Sequence, residues 1–240
     1  MSFEKENHFT KENLDTYLKE LAKEFRRING KSMPAEIILV GGAAILAHYG
    51  FRDATTDIDA IIHAASSMKD AINHVGDKFG LPNGWLNTDF MRTTSYSSRL
   101  LEFAVYYKTF YGILTVRVVS AEFLIAMKLR SDRRYKNDRS DIIGILNEHS
   151  KAGNPISFQA INDAVSQLYG SWSHFPQDAK AFIEHALREK NYEEVYYTII
   201  EEEEDANEIL VNFEAEYPNT ATQANVEDIL KTLKAKRENQ

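Results

Sequence analysis

The sequence predicts an α/β fold: a mixed sheet of four to five strands flanked by helices, followed by a helical region. Three observations carry this expectation. Short apolar runs at residues 37–40 and 58–62 bracket a glycine pair and a short helical stretch. Two more strand-like segments, near residues 100–107 and 113–119, lie between segments of helical period. Beyond about residue 158 only helical spacing remains, so the boundary is placed near Pro155, between an α/β part (residues 1–153) and a helical part (residues 154–240).

With 240 residues, 43% of them hydrophobic and 27% charged, the chain can bury one good-sized core and a smaller appended one. The absence of cysteine excludes disulfide frameworks, cysteine-based zinc sites and thiol nucleophiles. The first residues are polar and no apolar run approaches the roughly 20 residues of a membrane span, so a cytoplasmic protein is expected. A net charge of -8 argues against an extended duplex nucleic-acid footprint, which needs many cations on phosphates. One local basic cluster exists: Lys128, Arg130, Arg133, Arg134, Lys136 and Arg139.

The elements follow in order. Leu14, Leu18, Leu21, Phe25 and Ile28 recur at three or four, with Thr10 as N-cap and Gly30 past the end, which predicts a helix over residues 10–28. Residues 36–40 form a short continuous apolar run, the pattern of a strand buried on both faces, and a helix over 43–49 closes at Gly50. The second strand is expected over 57–62. Ser67 and Asp70 have capping-box spacing before a helix whose buried stripe is Met68, Ala71, Ile72, Val75 and Phe79. A turn-rich loop spans 80–94 and contains Trp85, Leu86 and Asn87. After the two later strands come helices over 121–130 and 138–149, then C-terminal helices broken near 170–176, 190–191 and 217–218.

The chemistry concentrates at residues 37–62. Gly41 and Gly42 allow a sharp turn and leave no Cβ to hold a ligand away, and the first N–H groups of the following helix lack intrahelical partners. Such a turn suits a phosphate, though it also serves plain strand-to-helix packing. Asp57 and Asp59, two apart on a strand, project to the same face, where two carboxylates repel unless a cation lies between them. Hard oxygen ligands favour Mg2+ or Mn2+. Taken alone, Asp-x-Asp also fits a turn cap followed by a solvated edge residue.

Together, Gly41-Gly42, the short helix, and Asp57-Ile58-Asp59 preceded by Arg52 and Thr56 resemble the signature of the nucleotidyltransferase superfamily typified by DNA polymerase beta. Trp85-Leu86-Asn87 and the segment Leu124 to Leu129, followed by Arg133, Asp138 and Asp141, extend the resemblance to minimal bacterial and abortive-infection, toxin-type nucleotidyltransferases. The likeness covers about residues 36–146. It implies that Gly41, Gly42, Arg52 and Thr56 contact the nucleoside triphosphate, that Asp57 and Asp59 bind Mg2+ or Mn2+, and that Lys128 or Arg133 neutralises phosphate charge. The implied activity moves a nucleoside monophosphate to an unidentified acceptor: RNA, protein or a small molecule. Active members usually carry a third carboxylate on a later strand; the 113–119 strand offers Thr115 and Arg117 instead, which leaves Glu102 as the candidate. The alternative is a nucleotide-binding or partner-binding protein with degraded catalysis, one half of a toxin and antitoxin pair with an antitoxin-like partner.

His48, His63 and His74 lack metal-ligand spacing and are expected in core or surface roles. Tyr192, Tyr196, Tyr197 and Phe213 fall at helical spacing, as core packing requires.

Overall fold

The first helix shows how local chemistry sets the frame. Phe9–Thr10 forms the short strand β1, and α1, Lys11–Asn29, starts where the Thr10 amide donates to the Asn13 side chain at 2.9 Å. Gly30, with φ of 72°, ends it by returning its amide to the Arg26 carbonyl at 2.8 Å. Leu14, Leu18, Leu21 and Phe25 are buried as expected, while Ile28 in the last turn stays 37% exposed. The structure, a computed structural model, describes residues 9–222 and 224–238.

Next come β2 (Ala35–Leu39), α2 (Gly41–His48), β3 (Ala54–Thr55), β4 (Ile58–His63), α3 (Met68–Phe79) and β5 (Leu86–Asn87). After them run β6 (Ala104–Phe110), β7 (Leu114–Val119), α4 (Ala121–Ser131) and α5 (Asp138–Lys151). The helical remainder holds α6 (Phe158–Tyr169), α7 (Ala179–Glu189), α8 (Tyr192–Glu216) and α9 (Val226–Glu238). β1 pairs antiparallel with β3, and the other strands form one mixed sheet in the order β5-β4-β2-β7-β6. β2 lies parallel to β7 and antiparallel to β4; β5 joins β4 in parallel, and β6 joins β7 antiparallel. The apolar run of residues 36–40 is thus a strand with neighbours on both sides and helices over it, and Ile37, Ile38 and Leu39 are fully buried.

The same apolar core that holds the sheet also takes in Ile161, Ala164 and Val165 of α6, Ile183 of α7 and Ile199 of α8. A second cluster joins Tyr135 to Ala206, Ile209 and Leu210 of α8 and to Val226 and Leu230 of α9. No described helix is long and apolar enough to cross a membrane.

Several local expectations are corrected. Ser67 sits in helical backbone with no side-chain cap, because its hydroxyl is taken up by Asn29 Oδ1 at 2.8 Å. Ile72 is only half-buried and Phe79 is 37% exposed, so Gly76, which packs under Trp85, completes the α3 stripe instead. The loop of 80–94 holds β5 and a 3-10 turn, Asp89–Arg92. Residues 98–103 form another 3-10 turn rather than the start of a strand; Ser97 Oγ accepts from the Arg99 amide, and Phe103 stacks on Phe123 at 3.9 Å. Tyr49, in extended backbone, closes α2 in place of Gly50.

Candidate active site

β2 leaves the sheet level with Asp59, whose carbonyl accepts the Val40 amide at 3.0 Å. The chain then turns into α2. Gly41 has φ of 55°, the left-handed region that disfavours a side chain, and a Cβ there would stand 3.5 Å from Asp59 Oδ2. Gly42 is required by space: its Cβ would fall 2.5 Å from Thr55 Oγ1 and 3.0 Å from Arg52 Nη2. The N-cap of α2 is Val40, which supplies no side-chain acceptor, so the opening turn of the helix has no side-chain cap beside the carboxylates.

Asp57 is exposed just before β4, and Asp59 is half-buried within it. Burial, followed by the charge on Asp57, pushes the Asp59 carboxyl up to about 6, and Arg133, Lys136 and Lys128 pull it part of the way back. A pair of neighbouring carboxylates beside a glycine turn fits a hard divalent cation in donor type. Among the described residues no group of three or more His, Asp or Glu side chains gathers as a metal site, so the chain itself offers this pair.

Behind the pair lies a closed set of charges. Lys128, largely buried, reaches Asp138 Oδ1 at 2.9 Å and Asp141 Oδ2 at 2.6 Å. Arg133 grips Asp138 with two guanidinium bonds, at 2.9 and 3.1 Å, and with its own amide at 3.0 Å. Arg52 donates to Asp141 at 2.5 Å and to the Ala54 carbonyl at 2.9 Å. Burial opposes the charges of Lys128, Arg133 and Asp138. For Lys128 the Asp141 and Asp138 carboxylates outweigh it, so the ammonium stays above its ordinary value, and Lys128 and Arg133 likewise hold Asp138 well below its own. The helix α5 that carries both carboxylates also closes on the approach to Asp57: a Cβ on Gly144 would fall 2.4 Å from the Phe51 ring.

The fold treats the sequence-expected residues unequally. It brings Gly41, Gly42, Arg52, Asp59, Lys128 and Arg133 into one neighbourhood, with Asp57 at its exposed edge. Thr56 is exposed, and it is Thr55, buried, whose hydroxyl faces Gly42. Glu102 is not brought to the pair. It lies in the 3-10 turn before β6, 57% exposed and paired to Arg99 at 3.1 Å. β2 and β7 stand between β6 and β4, three strand spacings or roughly 14 Å of sheet. Thr115 and Arg117 lie on β7, two strands from β4, with Arg117 directed to Glu36 at 3.5 Å. The strand that does flank Asp59 on its outer side is β5, where Asn87 is its register partner, and Asn87 Oδ1 accepts the Asp89 amide at 2.8 Å. Trp85 is core: 2% exposed, with Nε1 donating to the Ile72 carbonyl at 3.0 Å.

Sequence reasoning missed three contributors. Lys136 appeared only as one member of a basic cluster. Tyr196 of α8 donates to the Phe51 carbonyl at 3.0 Å, just ahead of Arg52. Glu203 of α8 is 6% exposed; its Oε1 accepts the Arg139 and Ser140 amides at the start of α5, at 3.0 and 3.3 Å, while its Oε2 has no partner. Glu203 sits in an acidic run, residues 201–205, in which nothing local marks the one buried member. The three histidines take the expected plain roles: His63 lies 3.6 Å from Glu36, His74 lies 2.8 Å from Glu24, and His48 rests beside Tyr49 and Tyr107. Of the aromatic group, Tyr192 is core, whereas Tyr197 is 61% exposed.

The family model described as "Nucleotidyltransferase of unknown function (DUF6036)" matches residues 16–167. No curated protein and no solved structure matches the chain.

Proposed function

Because the chain belongs to this family of nucleotidyltransferases of unknown function, we propose that it transfers a nucleoside monophosphate from a nucleoside triphosphate to an acceptor, with pyrophosphate leaving. The observation that carries the reading is the close approach of the Gly41 turn to the Asp59 carboxylate, which sets open helix N–H groups beside it.

Asp57 and Asp59 would hold Mg2+ or Mn2+, whose charge would neutralise the pair and offset the negative charge developing on the transferred phosphoryl group. The chain's own share of the work is positional and electrostatic. The amides opening α2 would bind phosphate oxygens. Arg52, Lys128 and Arg133 exceed Asp138 and Asp141 by one charge, which gives the floor of the site a net positive field without a mobile group. Thr55 holds the glycine turn against β3, and Arg52 ties that turn to α5. No third carboxylate of the described residues joins the pair, so the acceptor itself, or a residue it brings, would have to supply the base. The same observation favours a second reading, a nucleotide-binding protein of the same fold that does not transfer.

The test incubates the protein with Mg2+ and each α-labelled nucleoside triphosphate in the presence of cell RNA, cell protein or aminoglycoside. Label should move to one acceptor class with release of pyrophosphate, and Asp57→Ala with Asp59→Ala should abolish it. Label transfer that persists in the double variant overturns the assignment. Tight binding of nucleotide with no transfer to any acceptor selects the second reading.

A further inference from the structure

The Arg52, Lys128 and Arg133 side chains are committed. Lys128 is held between two carboxylates in the interior, Arg133 is locked bidentately on Asp138, and Arg52 spans Asp141 and a backbone carbonyl. Lys128 cannot reach a ligand without abandoning a buried anion, a loss that costs more than an exposed contact returns, and Arg52 and Arg133 can offer a ligand only the N–H groups left over from their ion pairs. Lys136 is placed differently. It lies in the turn between α4 and α5, which is pinned on both sides: the Arg133 amide and guanidinium bind Asp138, and Tyr135, 3% exposed, is buried among α8 and α9. The Lys136 amide donates back to the Arg133 carbonyl at 3.2 Å, which fixes where its side chain begins. That side chain is exposed, and among the described residues its ammonium has no ion-pair or hydrogen-bond partner. The carboxylates whose charge it feels are Asp57, Asp138 and Asp59.

Charge accounting shows what the ammonium is free to do. Asp57, Asp59, Asp138 and Asp141 face Arg52, Lys128, Arg133 and Lys136, four against four. A divalent cation on Asp57 and Asp59 would satisfy those carboxylates and leave Lys136 the one uncommitted cation of this set. An arriving anion would offset the repulsion that the neighbouring Arg133 exerts on this ammonium. We propose that Lys136 is the residue that binds the phosphates of the nucleotide directly, with Lys128 and Arg133 serving as its fixed support. This rests on the nucleotidyltransferase reading above, and it assigns the ligand contact to a side chain supplied by a turn that the C-terminal helices hold in place.

The test is calorimetric binding of Mg2+-loaded inorganic triphosphate, and of a Mg2+-loaded nonhydrolysable nucleoside triphosphate, to wild type, Lys136→Met and Lys136→Arg. Thermal midpoints are followed in parallel; because the side chain is exposed, they should not move. Loss of one charge-assisted phosphate contact should weaken both ligands about ten- to a hundredfold in Lys136→Met and flatten the salt dependence of binding. Lys136→Arg should remain within about threefold of wild type. Equal binding by Lys136→Met and wild type overturns the assignment of Lys136 while leaving the nucleotidyltransferase reading intact. A wild type that binds neither ligand overturns both.

Discussion

Asp138 illustrates the residue scale. It is 1% exposed and holds two cations at once, Lys128 through Oδ1 and Arg133 through both oxygens. Truncating one member of such a set leaves the others buried and uncompensated, so Asp138→Ala should lower stability by about 3–5 kcal/mol in urea unfolding. A loss under about 1 kcal/mol would mean that Lys128 and Arg133 find other partners or water. Lys136→Met removes an exposed charge and should be nearly silent in the same measurement, so the two variants separate support from ligand contact. Gly41 and Gly42 belong to this scale too. Sequence suggests a phosphate turn at both, and the structure adds the mechanical reasons: a left-handed backbone at one and the Thr55 and Arg52 side chains pressed against the other.

At the scale of elements, α8 is the unexpected participant. Its Glu203 accepts the first amides of α5, as a capping acidic residue would, yet it comes from 63 and 64 residues away. Burial, with a further push from Asp141, raises its carboxyl from 4.5 to about 8, against the pull of the Ser140 and Arg139 donors. The folded value lies above the ordinary one, so the native chain keeps a proton that the unfolded chain has released. That contribution to stability is whole below about pH 4.5 and is lost as pH rises through about 8. Wild type should therefore lose stability relative to Glu203→Gln between those values, because the amide keeps the Oε1 acceptor and does not titrate. A difference between the two proteins that stays constant from pH 5 to 8 would show that Glu203 does not bind that proton. The strand order matters at the same scale. The sequence leaves Glu102, which it places on the strand before β7, as the candidate third carboxylate, but β2 and β7 separate β6 from β4, and the outer neighbour of β4 is the two-residue β5.

For the whole molecule, the helices after residue 153 are part of what makes the site. α6 and α7 share the core of the sheet, Tyr196 and Glu203 of α8 reach the Phe51 turn and the start of α5, and the α8–α9 cluster encloses Tyr135. We expect a chain ending at residue 190 to lose cooperative unfolding and to bind a hydrophobic dye, since removing α8 uncovers the face of α5 that it packs against. A sharp transition at the wild-type urea midpoint would show instead that the first 190 residues fold alone.

The sequence by itself determined the local frame: helix and strand periods, the ends of α1, the glycine turn and the same-face spacing of Asp57 and Asp59. Those depend on neighbours within a few residues, where backbone geometry and side-chain period act directly. Only the tertiary structure decided which charges stay free. Asp138 and Asp141 could be read as partners of the arginines, but their hold on Lys128, Arg133 and Arg52 is a matter of packing across α4, α5 and the Phe51 turn. The same holds for the register that sets Asn87 beside Asp59, and for the burial of one glutamate within an acidic run. Pairing between distant segments is fixed by the strand order and the shared core, and no local spacing encodes it.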